Sequence, residues 1–225
     1  SAARRLFRSS EASLILLAVG VGILAGLLAS LLGKAAWIMQ SLFYGLGTDL
    51  RLSGLVSISP ARLLALPIGG LVLGALVLFT RRKKRTSIDV VEANALHGGR
   101  IPLRDTTMVC GQTLISNGFG ASVGLEAAYA QAGGGIASLI GQWLNLRRGD
   151  LRVLVGAGSG AAIGAAFGAP LTGAFYAFEI VIGAYTPASI APVVAATIAA
   201  VITARTLGAT PYLIAAESGQ HLSAA

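Results

Sequence analysis

Two carboxylates stand where the chain is otherwise without charge. Glu126 lies in "GASVGLEAAYAQAGGG", residues 120 to 135, and the nearest charged residues are Asp105 before it and Arg147 after it. Glu179 ends the run "GAFYAFE" and is followed by Ile180. A carboxylate at membrane depth costs about 2.5 to 3.5 kcal/mol on insertion scales, so one that persists there usually faces an interior or a pathway. Gly118, Gly120 and Gly124 come just before Glu126, and glycine lets a backbone turn tightly and approach a ligand closely. A helix starting there would offer unpaired N–H groups and its positive dipole end to an anion. A carboxylate beside such a site competes with the anion when ionised and yields to it when protonated or displaced, which is a gate. The plainer alternative is that Glu126 only complements a helix start. Burial in an apolar stretch makes a purely capping role costly and favours the gate. Glu179 fits either a water-filled vestibule or a satisfied interior carboxylate.

The elements that position these residues read as membrane helices. Of 225 residues, 55% are hydrophobic and only 12% are charged, with a mean hydropathy of +0.77. A soluble domain carries about 25% charged residues because its surface faces water. Thirty glycines with few aromatics suit helices that pack by close backbone approach through small residues. The fold class expected is all-α and integral to a membrane, multi-pass, with lipid as its surroundings. The single Cys110 cannot form an internal disulfide. His97 and His221 show no metal-ligand spacing, and no phosphate-cradling Gly-x-x-x-x-Gly-Lys is present. Position 1 is Ser rather than Met, so the native start is expected upstream.

Residues 13 to 32 are uncharged and match the roughly 20 residues that cross a bilayer. Residues 63 to 79 form a second, slightly short candidate, followed at 81 to 85 by "RRKKR". Alone such a run suggests nucleic acid; beside a membrane helix it marks the cytoplasmic side. Arg4, Arg5 and Arg8 precede the first span, and two crossings return the chain to that side. The net charge of +8 is therefore read as topology, with no nucleic-acid partner. Residues 86 to 104 fit a short interfacial helix and turn. Apolar stretches follow at 106 to 125, 126 to 146 and 153 to 182, the last interrupted at Pro170. Broken helices in lipid persist only where protein or a watery cavity covers the freed backbone. A final span runs from about 188 to 204, before a polar tail or linker at 207–225.

These motifs resemble the CLC family of chloride channels and transporters over most of residues 10 to 206. The family's G-(K/R)-E-G-P signature, whose Glu is the external gate, reads Gly124-Leu125-Glu126-Ala127-Ala128 here. "YAQAGGGIA" follows it, and "GAGSGAAIGAAFGAPLTGAFYAFE" is similar to the family's long small-residue run before its internal glutamate. The family's first ion-binding loop, G-S-G-I-P-E, falls best on Arg85-Thr86-Ser87-Ile88-Asp89-Val90, keeping only the isoleucine. Thr86 retains a hydroxyl donor. Without the resemblance, Thr86 and Ser87 read as N-caps of the segment after them. The resemblance implies Glu126 as gate, with Thr86, Ser87, Ile88, Gly124, Leu125 and Ala127 as the anion-binding set.

Proton-coupled members carry a second glutamate where this chain has Ile180 after Glu179, so the resemblance implies weak or absent proton coupling. It further implies the first half of an inverted-repeat fold, residues 1–225 being one transmembrane domain whose second half is supplied elsewhere. It implies a homodimer joined through residues 170 to 204, chloride as substrate with no cofactor, and a bacterial inner membrane. Two other readings differ in class. A secondary transporter of another ion would use Glu126 and Glu179 as its binding carboxylates. An intramembrane enzyme would need a catalytic partner, and no Ser–His couple or H-E-x-x-H run accompanies them.

Overall fold

The first apolar run makes a helix much longer than one crossing. α1, Glu11–Tyr44, has 34 residues and so a length of about 50 Å, against a hydrocarbon core of about 30 Å, so it must tilt or project into the headgroups. The computed structural model describes residues 11–45, 52, 59–81 and 87–208, and among these all regular structure is helical. A turn at Pro60–Leu63 leads into α2, Ala65–Arg81. Within the stretch 86 to 104, expected as a short helix and turn, α3, Val90–Leu96, forms and the chain then turns. Then follow α4, Leu103–Gly118; α5, Glu126–Trp143; and α6, Arg148–Phe167. α7, Pro170–Tyr176, widens into a π-helical segment, Ala177–Ile182, and α8 spans Pro187–Thr206. The expected final span is thus present, and residues 209–225 of the tail lie outside the described residues.

The stretch expected over 153 to 182 is two helices meeting at a sharp corner. Gly168 takes φ of 66°, the left-handed conformation that a glycine adopts without a Cβ penalty. Ala169 N then donates to Gly164 O at 3.0 Å, satisfying a carbonyl at the end of α6. Pro170 opens the next helix, where its missing N–H is no loss.

Small residues set the packing. Gly133 of α5 and Gly158 of α6 face each other so closely that a Cβ on either would overlap the other's carbonyl. Gly160 of α6 and Gly173 of α7 repeat the arrangement. α1 lies along α8 in the same way, Gly22 on Ala196 and Gly26 on Ala200. This close approach replaces the hydrophobic drive that lipid does not supply. Gly173 is thus spent inside the subunit against α6, because the crossing needs its bare backbone.

Those crossings order the bundle end to end. α1 and α8 run parallel, so their C-termini share an end with the C-terminus of α4, where Tyr44 Oη donates to Phe119 O at 2.6 Å. The opposite end gathers the 97–104 turn and the α5–α6 turn, with Ile101 N donating to Ser138 Oγ and Arg148 reaching Leu96 O. Arg100, Arg104, Arg147, Arg148 and Arg152 all belong to this end. The start of α1 and the end of α2 lie there too, adjoining the basic runs at 4–8 and 81–85, which are themselves outside the described residues.

Candidate functional site

Glu126 is the first residue of α5, and the buried Leu125 before it is the N-cap. Leu125 supplies no side-chain cap, so nothing covers the helix start from within the cap residue. Among the described residues no hydrogen bond is made by the amides of Gly124 to Ala128, and the first turn is closed only by Tyr129 N to Leu125 O at 2.9 Å. Such orphan donors, with the helix dipole behind them, attract negative charge. The Glu126 side chain folds back over Gly124, where a Cβ would collide with its carboxyl group. A glycine two residues before the glutamate therefore admits the carboxylate to the helix start. Glu126 makes no side-chain hydrogen bond among the described residues and is exposed in the first turn of α5.

The second half of the expected donor set is differently arranged. Thr86 lies outside the described residues. The N-cap of α3 is Asp89, not Thr86 or Ser87: its carboxylate accepts from Glu92 N at 2.7 Å. Asp wins because the helix starts at Val90, one residue beyond Asp89, and its side chain is the one within reach. Ser87 Oγ is turned toward Met108 Sδ, 3.6 Å away. Ile88 N donates to Asp105 Oδ2 at 3.3 Å, and Ile88 O accepts from Gln131 Nε2 at 3.2 Å. Both backbone groups of Ile88 are thus engaged, one from α4 and one from α5.

The two halves nevertheless flank one place. The half-buried phenol of Tyr176 lies within electrostatic reach of both Asp89 and Glu126. Asn94, fully buried on α3, donates to Val181 O in the π segment at 2.8 Å and ties α3 to that wall. Tyr129 is packed at 2% exposure, as its place in an apolar run suggests. Glu126 and Asp89, the residue after Ile88, are therefore both near Tyr176.

The comparisons with known proteins decide what kind of bundle this is. The family described as voltage gated chloride channel matches residues 69–224, more than half of the chain. The chain belongs to the voltage-gated chloride channel family. It is 42% identical over 80 residues to the chloride/fluoride channel protein of Pseudomonas syringae pv. tomato, covering 36% of this chain and 18% of that one. It is 32% identical over 151 residues to a putative chloride channel protein, ClcB-like, of Ralstonia nicotianae, covering 64% and 35%. The voltage-gated ClC-type chloride channel ClcB of Escherichia coli is 25% identical over 205 residues, covering 89% and 49%. The chain thus spans half or less of the length of these relatives. Family and apolar helices together make it an integral membrane protein: α1, α6 and α8 are long and apolar enough to cross.

In this family member the two glutamates singled out by sequence do not share a site. Glu126 lies nearly two turns before Gly133 on α5, and Glu179 lies a comparable distance beyond Gly173 on the antiparallel α7. The Gly133–Gly158 and Gly160–Gly173 crossings separate their levels. Glu179 accepts from Tyr185 Oη at 2.7 Å, in the turn leading to α8. Ile180 beside it is half exposed on the bundle surface. Sequence reading passed over Asp105, which is 3% exposed and has no basic partner within ion-pair distance among the described residues. Its apolar-stretch signal was hidden by Arg104 next to it, which makes the pair look like a solvated helix start.

Proposed function

We propose that this chain forms one half of a chloride pathway gated by Glu126. The observation that carries the reading is the glutamate folded over Gly124 at a helix start whose first amides have no hydrogen-bond partner among the described residues. An anion leaving water must find N–H or O–H donors to replace its hydration. The orphan amides of Glu126, Ala127 and Ala128 supply them without a buried cation, so binding stays weak enough to release. An ionised Glu126 competes for those amides, and its protonation or displacement opens them. The gate, the chloride substrate and the contributions of Gly124, Leu125 and Ala127 all belong to this reading. It needs no cofactor and no bond-breaking step, so the protein is a transporter or channel and not an enzyme.

The second half of the pathway comes from beyond these residues, and two copies pair through the exposed apolar faces of α7 and α8, which include Phe175 and Ile198. Disulfide trapping of Ile198→Cys between copies decides that pairing. The basic end faces the cytoplasm, in a bacterial inner membrane, because five arginines gather there against Lys34, Arg62 and Arg205 toward the opposite end. Labelling of a cysteine placed at Arg100 from the outside of intact cells would overturn that orientation. Chloride flux from vesicles containing the assembled protein tests the gate itself: Glu126→Gln should conduct independently of pH, and loss of flux in that variant would make the carboxylate structural.

A further inference from the structure

Ile88 and its amide lie two residues before α3, whose N-cap Asp89 is within electrostatic reach of Tyr176, as Glu126 is. An anion that passed Glu126 and reached this turn would meet that amide. The amide is already engaged by Asp105 Oδ2 at 3.3 Å. Asp105 belongs to the first turn of α4, is 3% exposed, and has no basic partner within ion-pair distance among the described residues. A buried carboxylate bonded to a backbone amide, and to no cation among the described residues, is a candidate functional group. Nor can the turn easily move to free the amide. Ile88 O is held by Gln131, itself 1% exposed, and the Asp89 carboxylate is occupied in capping α3.

We propose that Asp105 is a resident carboxylate that occupies the inner backbone donor of the pathway and excludes the permeating halide from Ile88. A carboxyl oxygen and a halide compete for the same N–H, so only one can hold it at a time. The pathway is then closed by a carboxylate at each end, but the two differ in kind. Glu126 lies exposed at a helix start with no hydrogen bond of its own, whereas Asp105 is buried and bonded. Glu126 is the movable group and Asp105 the fixed one, which makes Asp105 a specificity-determining residue that sets how many anions the pathway holds. The inference rests on the chloride reading above.

The test counts bromide ions in crystals of the assembled protein carrying Glu126→Gln. With Asp105 intact, one bromide is expected, at the Glu126–Ala128 amides, and none at Ile88. Adding Asp105→Ala should bring a second bromide to Ile88 N. Adding Asp105→Asn instead keeps an acceptor oxygen on the amide and should keep the count at one. If Asp105→Ala does not assemble, Asp105→Ser, whose hydroxyl stops short of the amide, must add the second ion in its place. A bare Ile88 amide in both shortened variants, or bromide at Ile88 with Asp105 intact, overturns the inference while the Glu126 ion leaves the chloride reading standing. Bromide at Ile88 in the Asp105→Ala protein, with none at the Glu126 end in any variant, supports the inference and counts against the gate.

Discussion

α1 and α6 are both long and apolar enough to span a bilayer, yet they invert the rule that the most apolar segment is the most buried. The best window of α1 has a mean hydropathy of 2.6 and is 33% buried, whereas that of α6 has 1.2 and is 72% buried. α1 carries Leu16, Ile23, Leu27 and Leu31 exposed on its surface. α6 buries Gly156, Ala157, Gly158, Ser159, Gly160, Ala161 and Ala162 in succession. In lipid, large apolar side chains lose nothing by facing outward, and what must be buried is the backbone that small residues leave bare. Smallness, not hydrophobicity, marks the core here. The same contrast explains why the candidate site sits among glycines and alanines: only there does the backbone come close enough to offer its amides.

The sharpest way to break this comparison is to enlarge the small face and shrink the large one. Gly158→Leu places a branched side chain where even a Cβ meets Ala137 Cβ at 2.8 Å and the carbonyl of Gly133. Because the opposing atoms are backbone, the helices must part, and a loss of about 3 kcal/mol or more is expected. Leu27→Ala on the exposed face of α1 should change stability by less than about 0.5 kcal/mol. Thermal unfolding of the assembled protein in detergent reads both. Equal losses would mean that α1 is covered by protein along its whole length and that the contrast is an artefact of reading half a fold.

Glu126→Gln tests the site that the small residues build. Glutamine keeps the size and removes the charge. A negative side chain at a helix start is held there by up to about 2 kcal/mol, so its removal should raise chloride flux at neutral pH by about tenfold. Flux through the parent should rise as pH falls, and flux through the variant should be flat. Gly124→Ala should move the gate in the same direction by less, about threefold at an expected cost near 0.6 kcal/mol. Gly124 is not among the glycines of positive φ, so alanine strains no backbone there, but its Cβ claims the space of the Glu126 carboxyl. Unchanged flux and pH response in Gly124→Ala would show that the folded-back carboxylate is not what closes the path.

Much of this arrangement was legible in the sequence because it is written in local signals. The order of the apolar helices, the break before Pro170, and a helix beginning at Glu126 all follow from neighbours within a few positions. The corrections share the opposite property. Asp105 and Ile88 meet across 17 positions and a helix, so no periodicity announces their bond. The Asp89 cap is an exception, a local signal: Asp caps at least as well as Ser or Thr, and α3 starts one residue after it. Gly173 lies in the segment 170 to 204 expected to join two copies, and a small residue has the same sequence signature whether it packs within a subunit or between two. Only the partner, Gly160, distinguishes them.

The smallest expected effect concerns Glu179, the carboxylate on the other side of both glycine crossings. Its Tyr185 partner is exposed, and the hydrogen bond to Glu179 raises the phenol above its ordinary value. A raised phenol stays protonated through neutral pH and loses the bond only as pH climbs through its alkaline range, so this contact contributes no pH response where Glu126 acts. Tyr185→Phe should therefore leave chloride flux within about twofold of the parent, in keeping with one exposed hydrogen bond. With Ile180 where proton-coupled relatives carry a second glutamate, chloride should move without a fixed proton counter-flow in both proteins. Reversal potentials measured across a pH gradient check this. A potential that tracks the gradient in the parent and ceases to do so in Tyr185→Phe would make the Glu179–Tyr185 pair a proton relay, and the two carboxylates would then be partners across the bundle in place of a gate and a bystander.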